Sequence, residues 1–409
     1  MKDKTATEVK AMWDELKVTE SRMRAEFDAA YKIEYGTEDK TMTKKKSVTE
    51  MSHDALMEKL RARGNPVTEA PPAPPAAPAV VEPLFMETTG AEVEHENTKL
   101  FSEVFGFTPK IGGDFRIPAY EDDVWDTEDL AFIPDVLKFS NFVVPQEVLT
   151  SEMRAIAAKM KTLVVGPSGS GKTTLQEFIC AMIRQPYLRI NGRQDMESDT
   201  LLGKPWVSEG EMEFTKGELP KALEKGWFVA FDEPWKTPSG IQMSLQRMYE
   251  KDGVLQLDDM PGDLDDKLIV PKDTFRMVLC DNVVGTGDNQ DKYGATMIQD
   301  GSTLNRIDMV LKLGYLSQDD EVDMVRRMHP SITEKYATKM VQLFNLLRVN
   351  YDQGELSVAA SPRNLDAWGQ MAIAMQDYEQ GFEVVMMNRY ADDVEKATVK
   401  SHWNNVFGG

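Results

Sequence analysis

The chain has 409 residues, with 47 Lys plus Arg against 68 Asp plus Glu and a formal net charge of -21. That length allows two or three domains with sizeable cores, and the negative field repels nucleic acid and anionic membrane unless a local basic groove intervenes. Cys180 and Cys280 sit in apolar contexts and read as buried thiols of a reducing compartment, while His53, His95, His329 and His402 are too scattered for a zinc pattern. No apolar run reaches bilayer length and the first residues lack an apolar leader core, so a soluble, cytoplasmic protein is expected, with no membrane association.

Residues 1–64 carry Val9, Met12, Trp13, Leu16, Met23 and Phe27 largely at helical spacing, and Ser47-Val48-Thr49-Glu50 fits a capping box. A small helical unit is expected there, too small to bury much by itself. Residues 65–98 form a linker, where Pro66, Pro71, Pro72, Pro74, Pro75, Pro78 and Pro83 alternate with alanines and favour an extended spacer. From Phe101 to Tyr120, aromatics mix with Gly106, Pro109, Gly112, Gly113 and Pro118, which predicts loops and short strands. Pro145 to Lys159 reads as a helix.

Next comes a β-rich apolar run, Thr162 to Val165, followed by Gly166-Pro167-Ser168-Gly169-Ser170-Gly171-Lys172-Thr173-Thr174 and a helical run to Ile183. This fits the phosphate-loop pattern with its strand before and helix after. The glycines let backbone N–H groups turn inward on phosphate oxygens, and the helix N-terminus offers its unpaired N–H groups to the same anion. Lys172 can reach the β- and γ-phosphates, and the Thr173 hydroxyl can ligate Mg²⁺. ATP and Mg²⁺ are the expected cofactors.

Tyr187 to Asn191 is a strand, Leu202 to Lys216 a hairpin around Glu209-Gly210, and Leu219 to Lys225 a short helix. Trp227 to Phe231 is a buried strand ending in Asp232 and Glu233, 60 residues after Lys172. Acids at the C-terminal end of a parallel strand lie at the mouth of the sheet, where Asp232 can hold Mg²⁺ and Glu233 can polarise water. Ile241 to Glu250 is expected as a helix and Gly253 to Val270 as a hairpin. The strand Phe275 to Cys280 runs into Asp281-Asn282, and Asn282 can orient an attacking water, although Asp-Asn also simply begins turns. Arg306 precedes the apolar strand that leads to Leu316; an arginine so placed is usually just solvated. From Ser317 the pattern is helical to the end. Ser361-Pro362-Arg363 reads as N-cap and first two helical positions, which puts Arg363 at a helix tip from which it could point at a phosphate.

Taken together, these residues resemble the ring-forming AAA+ ATPases of the MoxR and metal-chelatase branch, and within it the small ATPase subunits of aerobic cobaltochelatases. Four stretches carry the closer likeness: Phe105-Gly106-Phe107 with Arg116 to Tyr120; Phe231-Asp232-Glu233 with Gln246 to Gly253; Asn282 to Asp288; and Asn305-Arg306-Ile307 through Val322. The likeness covers roughly residues 99–330. It implies an α/β fold class: an AAA+ P-loop core with a parallel sheet over 99–316, then a helical lid over 317–409. It also implies that Asn282 serves as a sensor, Arg306 as a finger acting from a neighbouring subunit and Arg363 as a second sensor. The implied assembly is a homo-hexamer hydrolysing ATP at subunit boundaries, with a von Willebrand A-domain partner and a large chelatase subunit that holds a corrin ring for cobalt insertion.

The same residues suit a MoxR-like ATPase that remodels a protein client. A nucleic-acid motor is disfavoured by the charge and by the lack of any basic run beyond Lys44-Lys45-Lys46.

Overall fold

The computed structural model describes residues 96–250, 253–285 and 301–408. The helical unit expected over 1–64, nearly all of the linker, and the stretch Thr286–Asp288 lie outside these residues.

In chain order the elements are β1 (Thr98–Leu100), α1 (Phe101–Phe105), β2 (Arg116–Pro118), α2 (Gln146–Ala157), β3 (Thr162–Val165), α3 (Lys172–Ile183), β4 (Tyr187–Asn191) and α4 (Ser198–Leu201). There follow β5 (Gly203–Ser208), β6 (Glu211–Lys216), α5 (Glu218–Lys225), β7 (Phe228–Asp232), α6 (Ser239–Leu245), β8 (Leu255–Gln256), α7 (Leu264–Lys267), β9 (Leu268–Ile269) and β10 (Arg276–Asp281). The last are α8 (Gly301–Leu304), β11 (Met309–Lys312), α9 (Gln318–Met328), α10 (Glu334–Asp352), α11 (Pro362–Met375), α12 (Tyr378–Val385) and α13 (Asp393–Phe407).

Five strands form one parallel sheet in the order β11-β3-β10-β7-β4. Strands covered on both faces must be apolar along their whole length. β3 and β7 meet this demand except at Thr162 and Asp232, which lie at their ends, and every residue of Thr162–Val165 and Phe228–Asp232 is buried. One face packs Leu163, Val229, Phe231 and Leu279 against Leu219, Leu223 and Trp235. The other packs Val164, Phe228, Val278 and Cys280 against Met153 and Ile156 of α2 and Leu175 and Ile179 of α3. Both cysteines are free and fully buried. A third core, centred on Trp368, Phe344 and Phe382, belongs to the helices after Ser317.

Three local expectations need correction. The glycine- and proline-rich stretch after Leu100 contains a true helix, α1, whose first turn is closed by Glu103 Oε2 accepting from Leu100 N (2.9 Å). Gly106 ends it at φ 77°, a left-handed conformation that glycine adopts without a Cβ penalty. The helix expected over Ile241–Glu250 stops at Leu245 and tightens into a 3₁₀ turn over Gln246–Tyr249, which buries the consecutive Met248 and Tyr249. The hairpin over Gly253–Val270 pairs only Leu255 with Ile269 and Gln256 with Leu268, with α7 between.

Candidate functional site: a phosphate loop at the mouth of the parallel sheet

Strand register sets the site. Val165 lies beside Asp281, and Cys280 beside Asp232, so β3, β10 and β7 end at one level. Beyond that level the backbone continues the ladder: Gly166 N donates to Asp281 O (3.3 Å) and Glu233 N to Cys280 O (2.7 Å). The loop from Gly166 to Gly171 therefore leaves the sheet beside the end of β10, with the end of β7 one strand further on.

Within the loop, Gly169 and Gly171 have φ of 78° and 93°. Left-handed geometry of this kind turns successive N–H groups into a concave nest for an anion. Ser170 Oγ is buried there without a hydrogen-bond partner in the protein. Such an orphaned donor, at the start of α3, fits a phosphate oxygen that would accept from it. Lys172 is buried, and its Nζ donates to Gly166 O (2.9 Å), Pro167 O (3.0 Å) and Asn282 Oδ1 (2.8 Å). Burial holds its ammonium below the ordinary lysine range, opposed by Asp232, Asp281 and Glu233. Thr173 and Thr174 open α3 beside it.

Asp232 closes β7, buried, with its carboxylate against the Arg189 guanidinium of the neighbouring strand. Glu233 follows with φ 52°, in the left-handed region that costs a non-glycine residue energy. That turn swings the Glu233 side chain off the strand, where it pairs with Lys236 (2.9 Å). Asp281 sits deeper. Burial pushes its carboxyl up to about 6, while Oδ1 accepts from Asn282 N (2.7 Å) and Val283 N (3.3 Å) and pulls the other way. It thereby holds the turn that carries Asn282.

The helical region closes over the loop. Ser361 caps α11, with Pro362 at N1 and Arg363 at N2. A Cβ on Gly169 would lie 2.9 Å from Ser361 Cβ, so the tip of α11 touches the phosphate loop directly. Arg363 is exposed, makes no hydrogen bond or ion pair among the described residues, and lines a cavity of about 310 Å³ together with Gly169, Ser170, Gly171 and Thr174. Most of the remaining wall is apolar, with Phe142, Val143, Tyr315, Leu316, Met324 and Met328 prominent, while Lys138, Asn141 and Asp366 add polar groups to it. This apolar slot beside the phosphate cradle has the size and chemistry for a nucleoside. Sequence reasoning missed it, because its residues come from separated segments and share no spacing.

Arg306 stands elsewhere. It precedes β11, whose first residue, Met309, pairs with Thr162 at the start of β3. It is therefore at the opposite end of the sheet from Gly166. Its Nε and Nη2 donate to Glu250 Oε1 (3.3 and 3.2 Å) and its Nη1 to Ser302 O (2.9 Å). The structure thus brings the phosphate loop, Asp232, Glu233, Asn282 and Arg363 to one mouth and leaves Arg306 outside it.

Comparison with known proteins agrees with this architecture. The family described as AAA domain (dynein-related subfamily) matches residues 161–299. The aerobic cobaltochelatase subunit CobS of Sinorhizobium sp is 30% identical over 314 residues, covering 75% of this chain and 89% of the relative. The chain belongs to the AAA+ ATPase family, beside CobS. This AAA+ chain also matches von Willebrand factor A domain-containing protein 8 of Mus musculus, at 23% identity over 62% of the chain but only 13% of that much longer protein. A Thermotoga maritima RuvB mutant structure is similar over 67% of this chain and 80% of its own, with 15% identity and a TM-score of 0.40. Among the described residues of this AAA+ chain, no helix is long and apolar enough to cross a membrane.

Proposed function

We propose that the chain is the motor subunit of a ring that couples ATP hydrolysis to remodelling of a partner complex, and that this complex is a CobS-like cobaltochelatase. The AAA+ core of this reading spans 99–316 and its lid 317–409. One observation carries it. The mouth of the sheet holds every residue of the proposed hydrolytic site except Arg306, which lies where it cannot reach its own phosphate loop. A complete site then takes a second copy, and repetition of that contact closes a ring, here a hexamer.

In this mechanism the Gly166–Thr174 loop cradles the phosphates, and the Lys172 ammonium faces the β- and γ-oxygens. Thr173 and Asp232 would hold Mg²⁺, which when bound neutralises charge on those oxygens. Glu233 accepts the proton of the attacking water, Asn282 orients that water, and Arg363 contacts the phosphates from the lid. The neighbour's Arg306 meets the charge that develops in the transition state.

CobS is by name a subunit of aerobic cobaltochelatase, and this chain spans 89% of it. That supports cobalt insertion into a corrin held by a large subunit. The likeness to a protein named for its von Willebrand A domain favours a second reading, a MoxR-like ATPase acting on a protein client through such a partner. Glu233→Gln separates the two. The variant should keep ATP and lose turnover by roughly 10²–10⁴-fold, because an amide is no general base. A corrin-binding subunit co-purifying with the ATP-locked variant supports the first reading, and a protein client supports the second. A Gln variant that hydrolyses ATP normally removes Glu233 from the mechanism.

A further inference from the structure

Arg348 is nearly fully buried in the lid, and its hydrogen bonds reach beyond its own helix to two other segments. Nη1 and Nη2 make a bidentate pair with Glu321 of α9 (2.6 and 2.8 Å). Nη1 also reaches Asn345 Oδ1 on its own helix, α10 (2.9 Å). Nε donates to Ala360 O (2.8 Å), the residue before the Ser361 cap of α11. The flat guanidinium lies 4.0 Å from the ring centre of Tyr315, in the connection between β11 and α9. Tyr315 in turn donates from its hydroxyl to Ser168 O of the phosphate loop (3.3 Å). A buried ion pair is a poor way to stabilise a lid, since apolar residues of the same volume often do as well or better. What an apolar residue would not reproduce is the directed geometry of a planar fork.

We propose that Arg348 and Tyr315 form a positioning relay through which the lid sets both the phosphate loop and the tip of α11. The inference rests on the ATPase reading above. One arm runs from Arg348 through Ala360 to Ser361 and fixes the direction of Arg363. The other runs from Arg348 through the Tyr315 ring to Ser168. The Ser168–Gly169 peptide is planar, so holding the carbonyl of Ser168 aims the N–H of Gly169 the opposite way, into the cradle. Tyr315 is well placed for this, because it lines both the nucleoside cavity and a second cavity of about 410 Å³ bounded by Gly166, Pro167, Asn282 and Arg348. Movement of α9, α10 and α11 against the core would pass to the phosphate cradle through this side chain as well as through the contact of Ser361 with Gly169. Neither residue need touch the nucleotide's phosphates for this, so both are positioning residues.

The test uses the full chain and reads affinity and turnover separately. Tyr315→Phe keeps the ring and its stacking and removes only the hydroxyl. ADP and ATP affinity should fall roughly three- to tenfold, the effect of one hydrogen bond, and by clearly more than adenosine affinity, because the aromatic ring that lines the slot is kept. Arg348→Lys keeps a charge against Glu321 but loses the fork and the flat face. It should lower turnover as Arg363→Ala does, and the double variant should be no slower than the worse single, because both act through one tip. Equal loss for adenosine and ADP in Tyr315→Phe, or no loss for either, overturns the Tyr315 arm even if Arg348→Lys fails to fold. Multiplying effects of Arg348→Lys and Arg363→Ala overturn the other arm. A wild-type chain that binds no nucleotide overturns the ATPase reading together with the relay, whereas wild-type turnover with unaffected variants overturns the relay alone.

Discussion

Lys172 Nζ and Asn282 Oδ1 are joined at 2.8 Å across the ends of β3 and β10. The amide that would orient water thus also fixes the ammonium that would face the phosphates, and the two are 110 positions apart in the chain. With Gly166 O and Pro167 O, Asn282 completes the three acceptors an ammonium can use. Lys172→Ala should lower ATP affinity by about tenfold or more, since bonds to charged groups contribute roughly 1.5–3 kcal/mol each. Asn282→Ala should retain most of the affinity and lose turnover. Titration with a fluorescent ATP analogue beside steady-state phosphate release checks both, and an Asn282 variant with normal turnover counts against the sensor role.

Arg306→Ala should bind ATP normally and hydrolyse it poorly, with a loss on the order of 10³–10⁵ if the residue is a finger. Mixing it with Lys172→Ala subunits should restore part of the activity, because some boundaries then join an intact loop to an intact arginine. The pair with Glu250 seen within one chain is exposed enough that its loss alone should change stability by no more than about 1 kcal/mol. A turnover defect that mixing does not rescue, in rings shown to exchange subunits, would make Arg306 an internal residue only.

Met324→Glu places a carboxylate in the apolar wall of the nucleoside cavity. Adenosine and ATP should weaken together, by about tenfold or more, because desolvating an unpaired charge is costly. Lys172→Ala, in contrast, should spare adenosine. Competition binding with adenosine decides the matter: unchanged affinity in Met324→Glu would move the base elsewhere.

Glu152 of α2 is fully buried, and burial pushes its carboxyl from an ordinary 4.5 up to about 8. Gln176 of α3 faces it and pulls the other way, yet neither side chain reaches hydrogen-bonding geometry. Between those two values the folded chain binds more protons than the unfolded one, so this carboxyl makes stability fall as pH rises from about 4.5 to about 8. The contribution is complete below the lower value and gone above the upper one. Glu152→Gln should remove that slope, worth on the order of a few kcal/mol across the window. Urea unfolding of both proteins at the two ends of the range measures it, and parallel pH profiles would show that Glu152 is not protonated in the fold.

The sequence by itself determined the parts whose chemistry is local. The phosphate loop, the fully apolar strand ending in Asp232-Glu233, and the caps at Ser317 and Ser361 are short patterns in which each residue type answers to its immediate neighbours, and the strand and helix limits follow them closely. α1 escaped because five residues show no helical period; it is held from outside, by Phe101 stacking on Phe115 at 5.2 Å and meeting Phe107 edge-on. The tertiary structure alone decided which strand ends share a level, and hence that Asn282 meets Lys172. It also assembled the nucleoside slot from Phe142, Tyr315, Met324 and Met328 and stationed Arg306 at the far end of β11. These relations depend on strand order and register, and side chains far apart in the chain carry no mark of the partner that folding gives them.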